Sequence, residues 1–85
     1  MAKHPQITYR PMAEAPEFIS GGFNMSQTLY SVSKKGVLTR IAKADDCTWQ
    51  GDEKARFRVD KTIPRIAIET SRLGNGAWSS VVYYK

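Results

Sequence analysis

From Thr28 onward the chain alternates apolar and polar residues in short runs, separated by polar connections too short to carry a crossover. In Thr28-Leu29-Tyr30-Ser31-Val32-Ser33, Tyr30 and Val32 share one face of a strand and the serines share the other. Lys34-Lys35-Gly36 follows, and its glycine can take the positive φ that a bulged hairpin turn requires. Val37, Thr39 and Ile41 then alternate with Leu38, Arg40 and Ala42, and the β-branched content favours a strand over a helix from Thr39 to Asp46. Parallel neighbours need crossovers of about a dozen residues or more. These connections therefore predict antiparallel pairing.

The second half reads in the same way. Asp45 to Asp52 is a turn-rich loop, with Trp49 available to tuck inward. Arg56-Phe57-Arg58-Val59 puts Phe57 and Val59 inward and both arginines outward. The rival is a short helix capped by Asp52 through Glu53, Lys54 and Ala55, and beyond Ala55 the strand is preferred. Ile66 and Ile68 alternate with Ala67 and Glu69 in a strand that Pro64 helps to begin. Gly74-Asn75-Gly76 then turns the chain into a run from Trp78 to Tyr84. Tyr83 and Tyr84 are neighbours, so a strand sends them to opposite faces, and one of them is expected at a surface.

Residues 1–24 differ in character. They hold Pro5, Pro11, Pro16 and the Gly21-Gly22 pair, which favour an extended arm packed on the β body. One helical turn over Pro16-Glu17-Phe18-Ile19 is predicted within it, stopped by the glycines. Phe18, Ile19 and Phe23 would pack that turn against the domain. The 85 residues fit a single small domain, 1–85. The expected fold is mainly β: a small antiparallel barrel or curved sheet of about five strands, with at most one or two short helical turns. Such a chain buries only about 60% of its unfolded surface, which leaves little room for an enclosed cofactor site, and no cofactor is expected.

Cys47 is the only cysteine, so there is no internal disulfide and no Cys-cluster metal site. This fits a reducing, cytoplasmic setting. No run approaches the roughly 20 apolar residues of a membrane span, and MAKHPQITYR has no apolar signal core, so no membrane partner is expected. Asn24-Met25-Ser26 has a glycosylation pattern that is accidental in that setting.

Classical catalytic constellations are poorly served. His4 is the single histidine and lies in an N-terminal tail, where a solvated side chain is the expectation. Cys47 lies beside Asp45 and Asp46, whose charges raise a thiol's pKa. Asp45, Asp46, Asp52 and Glu53 lack the alternate spacing and closing glutamate of a calcium loop. Gly74-Asn75-Gly76 lacks the further residues of a phosphate-binding loop and reads as a hairpin turn. The minor enzymatic alternative is metal-free RNA cleavage, for which Arg56, Arg58, Glu69, Tyr83 and Tyr84 supply the residue types.

Charge is the strongest remaining signal. Lys34, Lys35, Arg40 and Lys43 give residues 34–43 a net of +4, and Asp45, Asp46, Asp52 and Glu53 give 44–53 a net of −4. Lys54, Arg56, Arg58, Lys61 and Arg65 against Asp60 return residues 54–65 to +4, within a total of +5. Cations for phosphates and flat rings for bases are the needs of nucleic-acid binding. The sequence thus points to a non-enzymatic domain binding DNA or RNA, with single strands favoured. The candidate residues are Lys34, Lys35, Arg40, Arg56, Arg58, Lys61, Tyr30 and Tyr83. If so, the two basic groups should converge beside an exposed aromatic. Each feature also has a plainer role: outward Lys and Arg protect strand edges, and Tyr30, Phe57 and Trp78 suit a small core. The alternative is a small inhibitor or regulator, of the kind phages encode, that clamps a larger protein partner; an exposed tyrosine suits such a contact equally well.

Overall fold

The alternating runs build seven strands in the computed structural model, which describes residues 6–22, 25–44, 56–72 and 76–85. They are β1 (Gln6–Arg10), β2 (Phe18–Ser20), β3 (Met25–Val32), β4 (Leu38–Ala44), β5 (Arg56–Arg58), β6 (Ile66–Arg72) and β7 (Trp78–Tyr84). Five of them form one sheet in the order β1-β7-β6-β3-β4, and β2 pairs with β5 in a second. The large sheet keeps β1 and β4 as separate edges and does not close, so the curved-sheet expectation holds and the barrel does not.

The β3–β4 hairpin forms where its sequence predicts. Gly36 takes φ +87°, and Ser33 organises the turn. Its Oγ accepts hydrogen bonds from the Lys35 and Val37 amides at 3.2 and 3.0 Å. On β4, however, the simple alternation fails. Leu29 pairs with Ala42 while Tyr30 pairs with Arg40, so Ile41 is the extra residue of a β-bulge. An extra residue exchanges the faces beyond it. Ala42 stays with Leu29 on the core side, and Arg40 joins Tyr30 on the other.

The N-terminal arm corrects one expectation. The helical turn is a single 3-10 turn at Met12–Glu14, directly after Pro11, and Phe18–Ser20 is strand. Proline at the entry supplies the fixed φ, and no donor is lost there. Residues 6–10 are extended. They add to β7 in parallel register, Ile7 opposite Val81 and Tyr9 opposite Tyr83. All other strand pairs among the described residues are antiparallel. The parallel pair escapes the short-connection argument because nearly the whole chain lies between its two strands. Past β1, the Met12 amide donates to the Lys85 carbonyl at 2.8 Å and the Lys85 amide to the Arg10 carbonyl at 3.3 Å.

One face of the five-stranded sheet carries the core. Leu29, Ile66, Ile68 and Tyr84 lie there with Ala44, under a cover of Ala15, Ile19 and Val59. Leu29, Ile66 and Ile19 are fully buried, and each contributes roughly 1.5–3 kcal/mol by leaving water. Gln27 ties the layers together: its Oε1 accepts from the Ser20 amide at 2.7 Å, and its Nε2 donates to Thr70 Oγ1 at 3.0 Å. The molecule is accordingly flat, 35 × 34 × 20 Å. Tyr30 is half-buried and Phe57 and Trp78 are exposed, so none of these three joins the core as the small-domain argument expects. Among the described residues, no helix is long and apolar enough to cross a membrane.

Candidate nucleic-acid interface

With β2 and β5 covering one face, strand alternation and register decide what the opposite face displays. Tyr9 on β1 pairs with Tyr83 on β7, Tyr83 with Ala67 on β6, Ala67 with Tyr30 on β3, and Tyr30 with Arg40 on β4. Directly paired residues point to the same side. A single row therefore crosses all five strands: three tyrosines, a fully buried alanine between the second and third, and an arginine at the end. The next row is Ile7, Val81, Glu69, Thr28 and Lys43, and the one after it is Ser79, Ser71 and Ser26, of which Thr28 and Ser26 are buried.

The tyrosine row is organised rather than a chance exposure. Tyr9 and Tyr83 stack with centroids 5.4 Å apart and planes inclined by 22°, inside the usual range for aromatic pairs. Tyr9 is 73% exposed. Ala67 brings only a methyl, fully buried between Tyr83 and Tyr30, which stand two strand spacings or about 10 Å apart. The Tyr30 hydroxyl donates to Glu69 Oε1 at 3.2 Å, which fixes its ring. Partial burial, then the Glu69 charge and hydrogen bond, hold its pKa above the ordinary tyrosine value, with Arg40 opposing them. Tyr30 is thus a neutral, anchored ring near pH 7. Arg40 and Lys43 give the β4 side of the face a positive border, and Glu69 is the acidic residue within these rows.

At the end of the sheet nearest the 33–37 turn, the face runs into a groove of about 300 Å³. Tyr9 and Tyr83 form one wall, with Lys34, Arg65 and Lys85 among the other lining residues. Arg65 is tied in place from both sides. Its Nε donates to the Val32 carbonyl at 3.2 Å, and its own carbonyl accepts from the Val32 amide at 3.0 Å.

The sequence-level candidates divide between two surfaces. Tyr30, Tyr83 and Arg40 share the row on the face that no described strand covers, termed the open face, and Lys34 and Lys35 lie in the adjoining turn. Arg56 and Arg58 are elsewhere. On β5, Phe57 pairs with Ile19, whose side chain is buried in the core, so alternation sends both arginines to the outer side of the covering layer. There both guanidinium groups sit 5.0 Å from the Phe18 ring centre. Lys61 and Arg58 line a wide depression of about 520 Å³ together with Glu17 and Asp60. The two basic groups therefore do not converge. Asp45, Asp46, Asp52 and Glu53 lie outside the described residues, as do His4, Cys47 and Trp49.

The residue set considered for RNA cleavage is likewise dispersed. Tyr84 is in the core, Arg56 and Arg58 are on the outer layer, and Glu69 and Tyr83 are on the open face. Tyr9, Lys43, Arg65 and Lys85 belong to the open face and its groove but were not candidates from sequence. A signal for Tyr9 exists, because Ile7 and Tyr9 alternate with Thr8 and Arg10 between two prolines. Among the described residues, no group of His, Cys, Asp or Glu is arranged to hold a metal ion. No protein-family model, curated protein or solved structure matches the chain.

Proposed function

We propose that this protein is a non-enzymatic, cytoplasmic domain that binds single-stranded nucleic acid on the open face of its five-stranded sheet. The observation that carries this reading is the row Tyr9-Tyr83-Ala67-Tyr30-Arg40, in which flat rings and a cation are presented on rigid strands. Stacking on such rings is tolerant of base identity, and it requires unpaired bases, so duplexes are disfavoured. Lys34, Lys35, Arg40 and Lys43 supply phosphate contacts along the β4 side, and the overall +5 charge steers a polyanion toward the domain. Arg56, Arg58 and Lys61 play no part in this mode, because the core separates them from the row. The test is fluorescence anisotropy with labelled single-stranded and duplex oligonucleotides across a salt series. Preferential binding of single strands, weakening steeply with salt, is expected; no binding at about 50 mM salt rejects the reading.

A second reading has one specific observation behind it. Val37, Leu38 and Ile41 are 61%, 42% and 46% exposed on or beside β4, an edge strand with no described strand on its outer side. Apolar side chains on an open edge suit a protein partner that adds a strand. That mode underlies an inhibitor or regulator that clamps a larger protein. Capture of a protein partner that is lost on Ile41→Lys, without any oligonucleotide binding, would favour it.

A further inference from the structure

We infer that the groove at the end of the tyrosine row receives the terminal phosphate of the bound strand, so that the domain recognises a phosphorylated end. This rests on the nucleic-acid reading of the open face and adds a polarity to it. Lys34, Arg65 and Lys85 bring basic side chains to the lining and no lining side chain is acidic; the main-chain carboxylate at Lys85 offsets that residue's own ammonium, so Lys34 and Arg65 are the net cations of the groove. Among the described residues no carboxylate forms an ion pair with any of the three; the described ion pair is Arg10–Glu14, 3.2 Å. A terminal phosphomonoester carries a charge of about −1.5 to −2 at neutral pH, larger than the single charge of an internal phosphodiester, and so gains more from a cluster of cations. Arg65 is suited to this role. Its Nε is already used on the Val32 carbonyl, which holds the guanidinium in one position, and its terminal nitrogens remain for a phosphate.

Size and position agree with an end rather than a through-running strand. About 300 Å³ is the lower limit of small-molecule sites and fits a single nucleotide unit. The groove adjoins Tyr9 and Tyr83, the most strongly paired rings of the row. A phosphate held by Lys34 and Arg65 therefore leaves its own base beside the stacked pair, with the following bases directed across the sheet toward Tyr30 and Arg40.

The experiment compares three labelled hexathymidylates by anisotropy: 5′-phosphorylated, 3′-phosphorylated, and with hydroxyls at both ends. The full-length protein should bind one phosphorylated form about tenfold or more tightly than the hydroxyl form, and which form it is gives the polarity. Lys34→Ala and Arg65→Ala should each reduce that ratio severalfold, and Lys34 lies in an exposed turn where truncation leaves the fold intact. The readout is the ratio, so a general loss of affinity does not imitate the result. Equal affinity for all three oligonucleotides overturns the inference while leaving the open-face reading standing. A preference that survives both substitutions overturns the assignment to this groove. Failure of every oligonucleotide to bind overturns both.

Discussion

Replacing Tyr9 by alanine separates a binding role from a structural one, because the structure assigns this ring little to do in the fold. It is 73% exposed on an edge strand, and its main contact is the stack on Tyr83 at 5.4 Å. Such a pair contributes about 0.5–1.5 kcal/mol beyond area burial, so Tyr9→Ala should cost about 1 kcal/mol of stability. In a domain of this size that lowers Tm by roughly 4–8 °C. The binding effect should be larger. Loss of a stacking ring costs about 1–3 kcal/mol per base, or roughly fivefold to 150-fold in Kd. Tyr9→Phe keeps the ring and should stay within about twofold of the parent. The assay is anisotropy with an unpaired oligothymidylate at fixed low salt, with thermal denaturation of the same samples. Unchanged affinity in a folded Tyr9→Ala protein refutes the stacking role. A Tm loss beyond about 15 °C refutes the view that the ring is dispensable to the fold.

Four further outcomes follow from the same geometry. Leu29→Ala empties the centre of the core, at 1% exposure, and should cost about 2–5 kcal/mol in chemical denaturation; a smaller loss would place the core elsewhere. Arg40→Ala should reduce the slope of log K against log salt by about 0.7, the increment of one phosphate contact on a single strand. The Arg56→Ala/Arg58→Ala pair should leave that slope unchanged, and the opposite pattern would move the interface to the outer layer. Gly36→Ala puts a side chain at φ +87° with nothing within 4 Å to clash, so only backbone strain of about 1–2 kcal/mol is expected, read as a fall in Tm. Burial, chiefly, raises the pKa of both Tyr30 and Tyr84 in the folded state, aided at Tyr30 by Glu69 and opposed at Tyr84 by Arg10. The folded protein then holds these protons more tightly than the unfolded chain. Their contribution is complete below pH 10 and is lost as pH rises past it, so the denaturation midpoint should fall from pH 9 to pH 11, and by less in Tyr84→Phe.

The strands of the second half were legible because period-two alternation survives wherever one face is buried. Ile66 and Ile68 lie on the core side for that reason, and Tyr83 and Tyr84 divide between faces as adjacent strand residues must, whereas on β3 the core takes Leu29 from the serine face and leaves Tyr30 on the other. What was not legible arises from non-local choices. The bulge at Ile41 has no local marker, yet it decides that Arg40 stands beside Tyr30. The parallel docking of β1 on β7 depends on a partner more than seventy residues away, and with it came Tyr9, the most exposed ring of the row. The divided cations have the same origin. Outward arginines on β5 were foreseen, but outward from a covering layer means away from the tyrosines, and only the order of the layers reveals that.

Which side of the molecule meets the ligand is read by amide chemical-shift mapping during titration with an unlabelled oligothymidylate. Shifts are expected at Tyr9, Tyr83, Ala67, Tyr30 and Arg40 and through the 33–37 turn, with Phe18, Arg56 and Arg58 unmoved. Shifts confined to Phe18, Arg56, Arg58 and Lys61 would contradict the open-face reading.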